Sequence, residues 1–243
     1  MRDSRNARTD DAASAQEPKT LVEAAYFRLR RDIIEGFHAP GEKLRVEHLK
    51  DQYEVGAGTL REALLLLVTD ALVVAQGQRG FRVAPISIAD CEDISHTRVL
   101  LETEALRQSI ARGDDAWEAD LVASFHRLTR AEQKLTDNDS ATTEEWERCN
   151  RAFHEALIAA STSRWISHFQ HILYQQSERY RRLSLFRQPI TRDIHAEHHA
   201  LFDAALSRNA GRATSILSEH ILRTLDSVKR MPLEFFSSGA LRR

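Results

Sequence analysis

The sequence predicts a mainly α-helical protein in two parts. A small N-terminal unit combines short helices with a two-strand hairpin, and an antiparallel bundle of six longer helices follows it. Only 9 glycines and 5 prolines occur in 243 residues, so long uninterrupted helices are possible. Apolar residues recur at helical spacing over most of the chain. Hydrophobic residues make up 42% of it, which is enough to form a core.

The overall composition excludes several classes of protein. No apolar run approaches the roughly 20 residues that span a bilayer, and no signal peptide is visible. Two cysteines, Cys91 and Cys149, cannot form a disulfide framework, so reduced thiols in a cytoplasmic protein are expected. The formal net charge is −2, and acids balance bases between residues 21 and 84, which argues against a generic basic patch for nucleic acid. Residues 1–20 are polar and aperiodic, and a disordered tail is predicted there.

The N-terminal unit is predicted over residues 21–86. A first helix starts at Leu21, and one of its faces carries Leu21, Ala25, Leu29, Ile33 and Ile34. Gly36 is a suitable C-terminal cap, and a turn follows at Pro40-Gly41. A second helix covers residues 46–53, and Gly56 can cap a third. The third helix carries Arg61 near its start and an inward apolar face of Leu64, Leu65, Leu67 and Val68.

A hairpin, or wing, should follow the third helix. Residues 72–74 form a short apolar strand, and the turn QGQRG over residues 76–80 contains two glycines. Phe81, Arg82 and Val83 alternate in polarity as a half-buried strand does, and Pro85 ends the strand. Helix, turn, helix and wing together are typical of a DNA-binding unit that inserts its last helix into the major groove.

This stretch resembles the winged helix-turn-helix domain of the GntR family of bacterial transcription regulators. The resemblance covers the whole unit: Gly36, Pro40-Gly41, the block Arg61-Glu62-Ala63-Leu64, and Arg79-Gly80-Phe81 follow in the family's order. It implies DNA contacts by Arg45, Thr59, Arg61, Arg79 and Gly80. The common Ser-Arg-Thr-Pro before the block is replaced here by Gly56-Ala57-Gly58-Thr59, and Glu47 stands where an arginine is common. An ion pair with Glu62 or a neighbour is the structural alternative for Arg61.

Residues 87–230 are predicted to form the helical bundle. Ser87-Ile88-Ala89-Asp90 has the form of a capping box and opens a long helix that Gly113 ends. Five further helices start near Asp114, Thr142, Ser163, Thr191 and Gly211, joined by short loops. Such loops favour antiparallel neighbours. Residues 231–243 show no usable pattern and are treated as a tail.

Several of the 11 histidines could converge in this bundle. Asn150 and His154 are one helical turn apart, and an antiparallel hairpin can bring His198 near His220. Three imidazoles and one side-chain oxygen suit Zn(II), Ni(II) or a related ion, although a buried histidine is more often part of a hydrogen-bonded core. The bundle resembles the FCD ligand-binding domain found in one GntR subfamily. The matching motifs are Asn150-Arg151-Ala152-Phe153-His154, Glu197-His198 and His220, and the resemblance assigns Asn150, His154, His198 and His220 as metal ligands.

Two features of the resemblance bear on the ligand. Asn150 stands where the family more often has aspartate, and a neutral amide leaves the site more positive, which could favour an anionic effector or leave the site without a metal. Arg98 and Glu102 match an R-x-x-x-E feature of the first bundle helix. Arg98 could bind an effector carboxylate through its planar fork, or simply pair with Glu102. The wing sequence is most similar to that of CsiR-like regulators, which respond to a dicarboxylate such as glutarate.

The sequence therefore predicts a ligand-responsive transcription regulator, a repressor in the family's usual mode. It would bind a near-palindromic operator as a homodimer and respond to a small carboxylate at a metal site. A metal-dependent hydrolase on a helical bundle is the main alternative, because His154-Glu155 and Glu197-His198 place carboxylates beside imidazoles. The zinc-protease spacing H-E-x-x-H fails, since Ile158 stands at its second histidine. An interaction protein with an idle winged helix is a further alternative.

Overall fold

The computed structural model of the protein describes residues 18–135, 140–187, 192–232 and 236. Within them the helices are α1 (Leu21–Ile34), α2 (Val46–Tyr53), α3 (Ala57–Thr69), α4 (Ile88–Arg112), α5 (Asp115–Lys134), α6 (Ser140–Leu157), α7 (Arg164–Arg187), α8 (Ile194–Leu206) and α9 (Ala210–Lys229). The strands are β1 (Lys43–Leu44), β2 (Val73–Ala75) and β3 (Phe81–Val83). The predicted tail at residues 1–17 and the predicted connector at residues 188–189 lie outside the described residues.

The N-terminal unit has the predicted order of elements, with one strand more than predicted. β2 and β3 pair antiparallel as the wing, and β1 pairs with the other edge of β3, so the sheet order is β1-β3-β2. The extra strand escaped prediction because two residues after a turn carry no alternating pattern. It ties the turn before α2 to the wing and so fixes the wing against the helices.

The core of this unit lies between α1, α3 and the sheet. Leu29, Leu60, Leu64 and Leu67 are fully buried within it. The prediction that Leu65 also faces inward was wrong, since its side chain is 53% exposed, and so was the inward placement of Leu21, which is 69% exposed. The unbroken apolar run from Leu64 to Val68 has no periodicity to show which residues face outward.

Six helices follow, as predicted, and polar caps start several of them. The Ser87 hydroxyl accepts a hydrogen bond from the Asp90 amide at 3.1 Å, which completes the predicted cap of α4. Asp114, Asp193 and Asn209 cap α5, α8 and α9 in the same way. α6 begins at Ser140, earlier than the predicted Thr142, and α8 begins at Ile194, later than the predicted Thr191. No helix of the described residues is long and apolar enough to cross a membrane.

The helix α7 lies between the bundle and the N-terminal unit. It packs against α4 and α9 and also touches α1. Its side chains hold the backbone of the N-terminal unit, since the Gln176 amide donates to the Asp70 carbonyl and Arg179 donates to the Ala84 carbonyl, both at 2.7 Å. Arg179, Arg181 and Arg182 lie close together on α7, and all three are buried because α7 is covered on several sides.

Candidate metal and DNA-binding sites

Three of the four candidate metal ligands, the histidines, meet inside the bundle, and the fourth, Asn150, lies one turn from one of them. Asn150 and His154 lie one turn apart on α6, His198 lies on α8 and His220 on α9. All four side chains are buried. One nitrogen from each histidine lies within 4.8 Å of the others. The antiparallel pair α8 and α9 brings His198 and His220 together, with ring centroids 4.8 Å apart.

Two glutamates orient two of these histidines. His198 Nδ1 donates to Glu132 Oε1 at 2.7 Å, and His220 Nδ1 donates to Glu197 Oε2 at 2.8 Å. An ionised carboxylate only accepts hydrogen bonds, so each Nδ1 carries the proton and each Nε2 keeps a free lone pair. Histidines that bind metals in proteins are commonly held by a carboxylate in this way. The sequence analysis did not identify Glu132, which lies on α5.

The site keeps the imidazoles of His154 and His220 neutral. Burial, followed by the proximity of His220 and His198, holds the pKa of His154 well below its usual range. Burial, with His198 and Arg192 nearby, has the same effect on the pKa of His220. Although burial alone would raise it, the hydrogen bonds from His198 and His195 keep the pKa of Glu132 below its ordinary value. Neutral imidazoles backed by ionised carboxylates are the state that binds a divalent ion.

Two buried polar atoms at the site lack a hydrogen-bond partner among the described residues. They are Asn150 Oδ1 and His198 Nε2. The Asn150 amide nitrogen donates to the Tyr174 hydroxyl at 2.7 Å, which leaves the oxygen to face another partner. Buried polar atoms are rarely left unpaired, because an unmade hydrogen bond costs about 1–3 kcal/mol. A metal ion bound by this oxygen and the imidazoles would satisfy both atoms, so the residues present fit such an ion.

The remaining histidines on these helices are not in the cluster. His199 is exposed and pairs with Asp203 at 3.0 Å, consistent with the prediction that it faces away from His198. His195 donates to the second oxygen of Glu132 at 2.6 Å, and so helps to hold the carboxylate that binds His198. His171 interacts with Gln175 on its own helix.

Arg98 is buried beside the cluster and is paired with Glu102. Its Nε donates to Glu102 Oε1 at 2.6 Å and one Nη donates to Oε2 at 3.2 Å. The other Nη donates to the Ser177 hydroxyl at 2.7 Å, and the guanidinium lies 5.2 Å from the Tyr174 ring centroid. The ion pair that the sequence offered as an alternative is therefore present. A guanidinium has five N–H groups, so these three bonds leave two for another acceptor.

A second buried arginine, which was not among the predicted site residues, borders the site. Arg181 binds Glu147 through both carboxylate oxygens and lies 5.0 Å from the Tyr174 ring centroid. Tyr174 thus has three guanidiniums over its ring, since Arg151 also lies 5.5 Å from the centroid, and Asn150 at its hydroxyl. No spacing along the sequence could place Arg181 here, since its partner Glu147 lies on another helix.

The predicted DNA contacts lie on the surface of the N-terminal unit. Arg45 precedes α2, Thr59 and Arg61 lie in the first turns of α3, and Arg79 and Gly80 lie in the wing turn. The side chains of Arg45, Arg61 and Arg79 are exposed and make no hydrogen bond or ion pair within the described part of the chain. The expected alternative for Arg61, a pair with Glu62, is absent there. A Cβ added at Gly56 or Gly58 would meet nothing within 4 Å, so the start of α3 is open to a close approach.

The geometry gives little support to hydrolysis. Glu197, the candidate base, is already bound to His220 and also pairs with Arg192 at 3.6 Å and Arg223 at 3.1 Å. A carboxylate held by three partners has little capacity left to activate water.

Comparison with known protein families gives two matches along the chain. Residues 21–83 match the family described as bacterial regulatory proteins, gntR family, and residues 93–223 match the FCD domain. The chain is 47% identical over 215 residues to BphR, an HTH-type transcriptional regulator of Paraburkholderia xenovorans, covering 88% of each protein. It is 35% identical to the HTH-type transcriptional repressor GlaR of Escherichia coli, covering 84% of this chain and 94% of that one.

Solved structures show the same fold. The E. coli protein McbR/YncC superposes with a TM-score of 0.71 at 20% identity, over 87% of this chain and 98% of the other. A GntR regulator from Rhodococcus gives a TM-score of 0.67 at 19% identity, over 86% and 97%. The matching gntR family and the relatives BphR and GlaR are transcription regulators and not enzymes, which excludes the hydrolase. The chain belongs to the GntR family of bacterial transcription regulators, with a winged helix-turn-helix DNA-binding domain followed by an FCD domain.

Proposed function

We propose that this regulator is a repressor whose DNA binding is controlled by a small carboxylate bound at a metal in the FCD domain. The repressor GlaR, at 35% identity, supports the sign of regulation. We place the DNA-binding domain at residues 21–86 and the ligand-binding domain at residues 87–230. The protein would act in the cytoplasm, where a bacterial operator is accessible.

The observation that carries this proposal is the cluster of buried nitrogens of His154, His198 and His220, with the buried Asn150 one helical turn from His154. The unpaired Asn150 Oδ1 and His198 Nε2 both need a partner, and a divalent ion gives both one. Imidazole nitrogens with an amide oxygen favour Zn(II) or Ni(II) over hard cations such as Mg²⁺. Because Asn150 and the imidazoles are neutral ligands, they would not cancel the positive charge of the metal. Negative charge would come from the carboxylates that hold the histidines.

An anionic effector fits the charge of this site. One carboxylate oxygen would bind the metal, and the two N–H groups left on Arg98 would donate to the same or a second carboxylate. A dicarboxylate such as glutarate could reach both groups. Because Arg98 also holds Glu102 and Ser177, an effector that pulls on Arg98 would disturb contacts of α4 and α7.

DNA recognition would depend on the exposed arginines. Arg61 and Thr59 would reach the major groove from the start of α3, with Arg45 on the backbone and Arg79 and Gly80 at the wing. A homodimer would place two α3 helices about 34–36 Å apart on a near-palindromic operator. The effector would act by binding one arrangement of the domains better than another.

A thermal-shift screen tests the ligand half of the proposal. Full-length protein is loaded with Zn(II) or Ni(II), or stripped with a chelator, and mixed with mono- and dicarboxylates of different length. We expect a rise in Tm with metal and a further rise with one carboxylate that needs the metal. A Tm that neither metal moves would contradict the metal site, and a carboxylate shift unaffected by the chelator would contradict binding at the metal.

A further inference from the structure

A second site lies between the DNA-binding and FCD domains. A cleft of about 390 Å³ opens between α1, α6 and α7. Six arginines and three glutamates line it, together with Phe27 and Ile34. This cleft is separate from the histidine cluster, because none of the cluster residues lines it.

On one wall of the cleft, the arginines form ion pairs with glutamates, which reduce its positive charge. Glu178 on α7 lies at its centre, with one oxygen 2.5 Å from Arg151 and 3.5 Å from Arg30, and the other 3.2 Å from Arg182. Arg182 also pairs with Glu35 at 3.6 Å. Two of these pairs, Arg30–Glu178 and Arg182–Glu35, join the DNA-binding domain to α7.

The other wall keeps an excess of positive charge. Arg148 on α6 is exposed and makes no hydrogen bond or ion pair within the described residues. Arg31 is half exposed and has only a 3.5 Å contact to Asp32, its neighbour in sequence. Arg28 donates a single hydrogen bond, to the Tyr53 carbonyl at 3.1 Å, and lies over the ring of that tyrosine. Of the three glutamates in the lining, Glu144 is the one that lies on this wall.

The acids elsewhere in the lining do not cancel this charge. Glu178 is shared among three arginines, and Glu147 is bound through both oxygens by Arg181 from the bundle core. Guanidiniums that face one cleft with N–H groups to spare recognise carboxylate and phosphate groups, for which their planar fork is suited. Phe27 and Ile34 add apolar surface for a hydrocarbon part.

We propose that this interdomain cleft binds a multivalent organic anion, one that carries two or more carboxylate or phosphate groups. Arg28 and Arg31 belong to α1 of the DNA-binding domain and Arg148 belongs to α6 of the FCD domain, so the bound anion links the domains. α6 also carries Asn150 and His154, so this site and the candidate metal site share a helix. The cleft is thus a second ligand-binding site of the regulator, and binding there does not require the metal.

Calorimetric titration of the full-length protein tests this site, with citrate as the carboxylate probe and pyrophosphate as the phosphate probe. The protein is first stripped of metal, so that neither anion can bind through an ion in the bundle. We expect one of the two probes to bind, and the probe that binds identifies the anion class.

Two charge reversals, Arg148→Glu and Arg31→Glu, should each weaken that binding by about tenfold or more, since each removes one charged partner and adds repulsion. Arg212→Glu is the matched control, because Arg212 is an exposed arginine on α9 outside the cleft. It should bind like the wild type. Both charge reversals lie at exposed side chains, and an unchanged Tm verifies their fold.

Two results would overturn the proposal. Either neither probe binds the wild type, or the two cleft variants bind like Arg212→Glu. Neither of these results bears on the metal-dependent effector proposed above, since the metal is absent throughout.

Discussion

The candidate metal site and the DNA-binding surface of this protein are built in opposite ways. In the bundle, His198 and His220 are buried and each is fixed by its own glutamate. On the DNA-binding domain, Arg61 and Arg79 are exposed and unpaired within the described residues. The first arrangement fixes side chains before a ligand arrives, whereas the second leaves them free until DNA does. Changes in the bundle should therefore affect ligand binding and stability together, and changes on the surface should affect DNA affinity alone.

The largest effect is expected from His198→Ala. It removes an imidazole that no neighbour can replace, so the affinity for Zn(II) should fall by about 100-fold or more. Thermal shift with and without Zn(II) measures this loss. His199→Ala is the matched control, because the adjacent His199 is exposed and pairs only with Asp203. Equal metal responses in the two variants would show that the cluster is ordinary core.

Arg61→Ala should have the next largest effect, and on DNA only. Loss of a bidentate base contact should cost about 1–3 kcal/mol of operator binding, with little change in Tm, because the side chain is exposed and unpaired. Fluorescence anisotropy with a duplex selected from a random pool gives the affinity. Arg212→Ala should bind the duplex as well as the wild type does. If Arg61→Ala lowered Tm and left DNA affinity unchanged, Arg61 would be a structural residue, and the contrast between the buried metal site and the DNA-binding surface would fail.

Glu132→Gln tests whether the carboxylate that holds His198 contributes to metal affinity. The amide oxygen can still accept a bond from His198 Nδ1, but the charge that strengthens the imidazole as a ligand is lost. Metal affinity should fall about tenfold, less than for His198→Ala. Competition with a chromophoric chelator measures it, and Glu104→Gln, at an exposed pair with Arg107 on α4, is the control. An effect as large as that of His198→Ala would mean that Glu132 is itself a ligand.

The smallest effect concerns stability and pH in metal-free protein. Burial holds the pKa values of His154 and His220 well below 6.5, the value for an exposed imidazole. The unfolded chain therefore takes up protons that the folded chain does not, and stability is lost as pH falls below about 6.5. By pH 5.5 the loss should be about 1 kcal/mol for each histidine. Urea unfolding at pH 7.5 and pH 5.5 checks this, and it should show a smaller loss for His154→Ala. No dependence on pH would mean that these histidines stay accessible to protons.

The sequence predicted the helices well because their signals are local. The cap at Ser87, the glycine at position 56 and the helix at residues 46–53 each depend on neighbouring residues, and the structure has all three. Strand β1 escaped because its pairing with β3 joins residues about forty apart. Leu65 was misplaced because the run from Leu64 to Val68 offers no polar residue to mark the outer face.

For the candidate site, too, the residues with a motif in the sequence were predicted and those without one were missed. Spacing and family resemblance pointed to Asn150, His154, His198 and His220, and the fold brings them together, although their role as ligands is still a prediction. Glu132 and Arg181 were missed because a lone charged residue on a helix is usually solvated, and only the packing of α5 and α7 buries these two against the cluster. The interdomain cleft has no sequence signal either, since it forms from three helices that are distant in the chain.

The central claim is that a ligand in the bundle controls DNA binding through a histidine-held metal. Its most direct test is the affinity for the selected duplex of wild type, His198→Ala and His199→Ala, each with Zn(II) and with or without the carboxylate found by thermal shift. We predict that the carboxylate weakens DNA binding by wild type and His199→Ala by about 5–150-fold, the usual range of coupling between sites. His198→Ala should bind the duplex and ignore the carboxylate. A His198→Ala protein that responds as the wild type does would contradict the account.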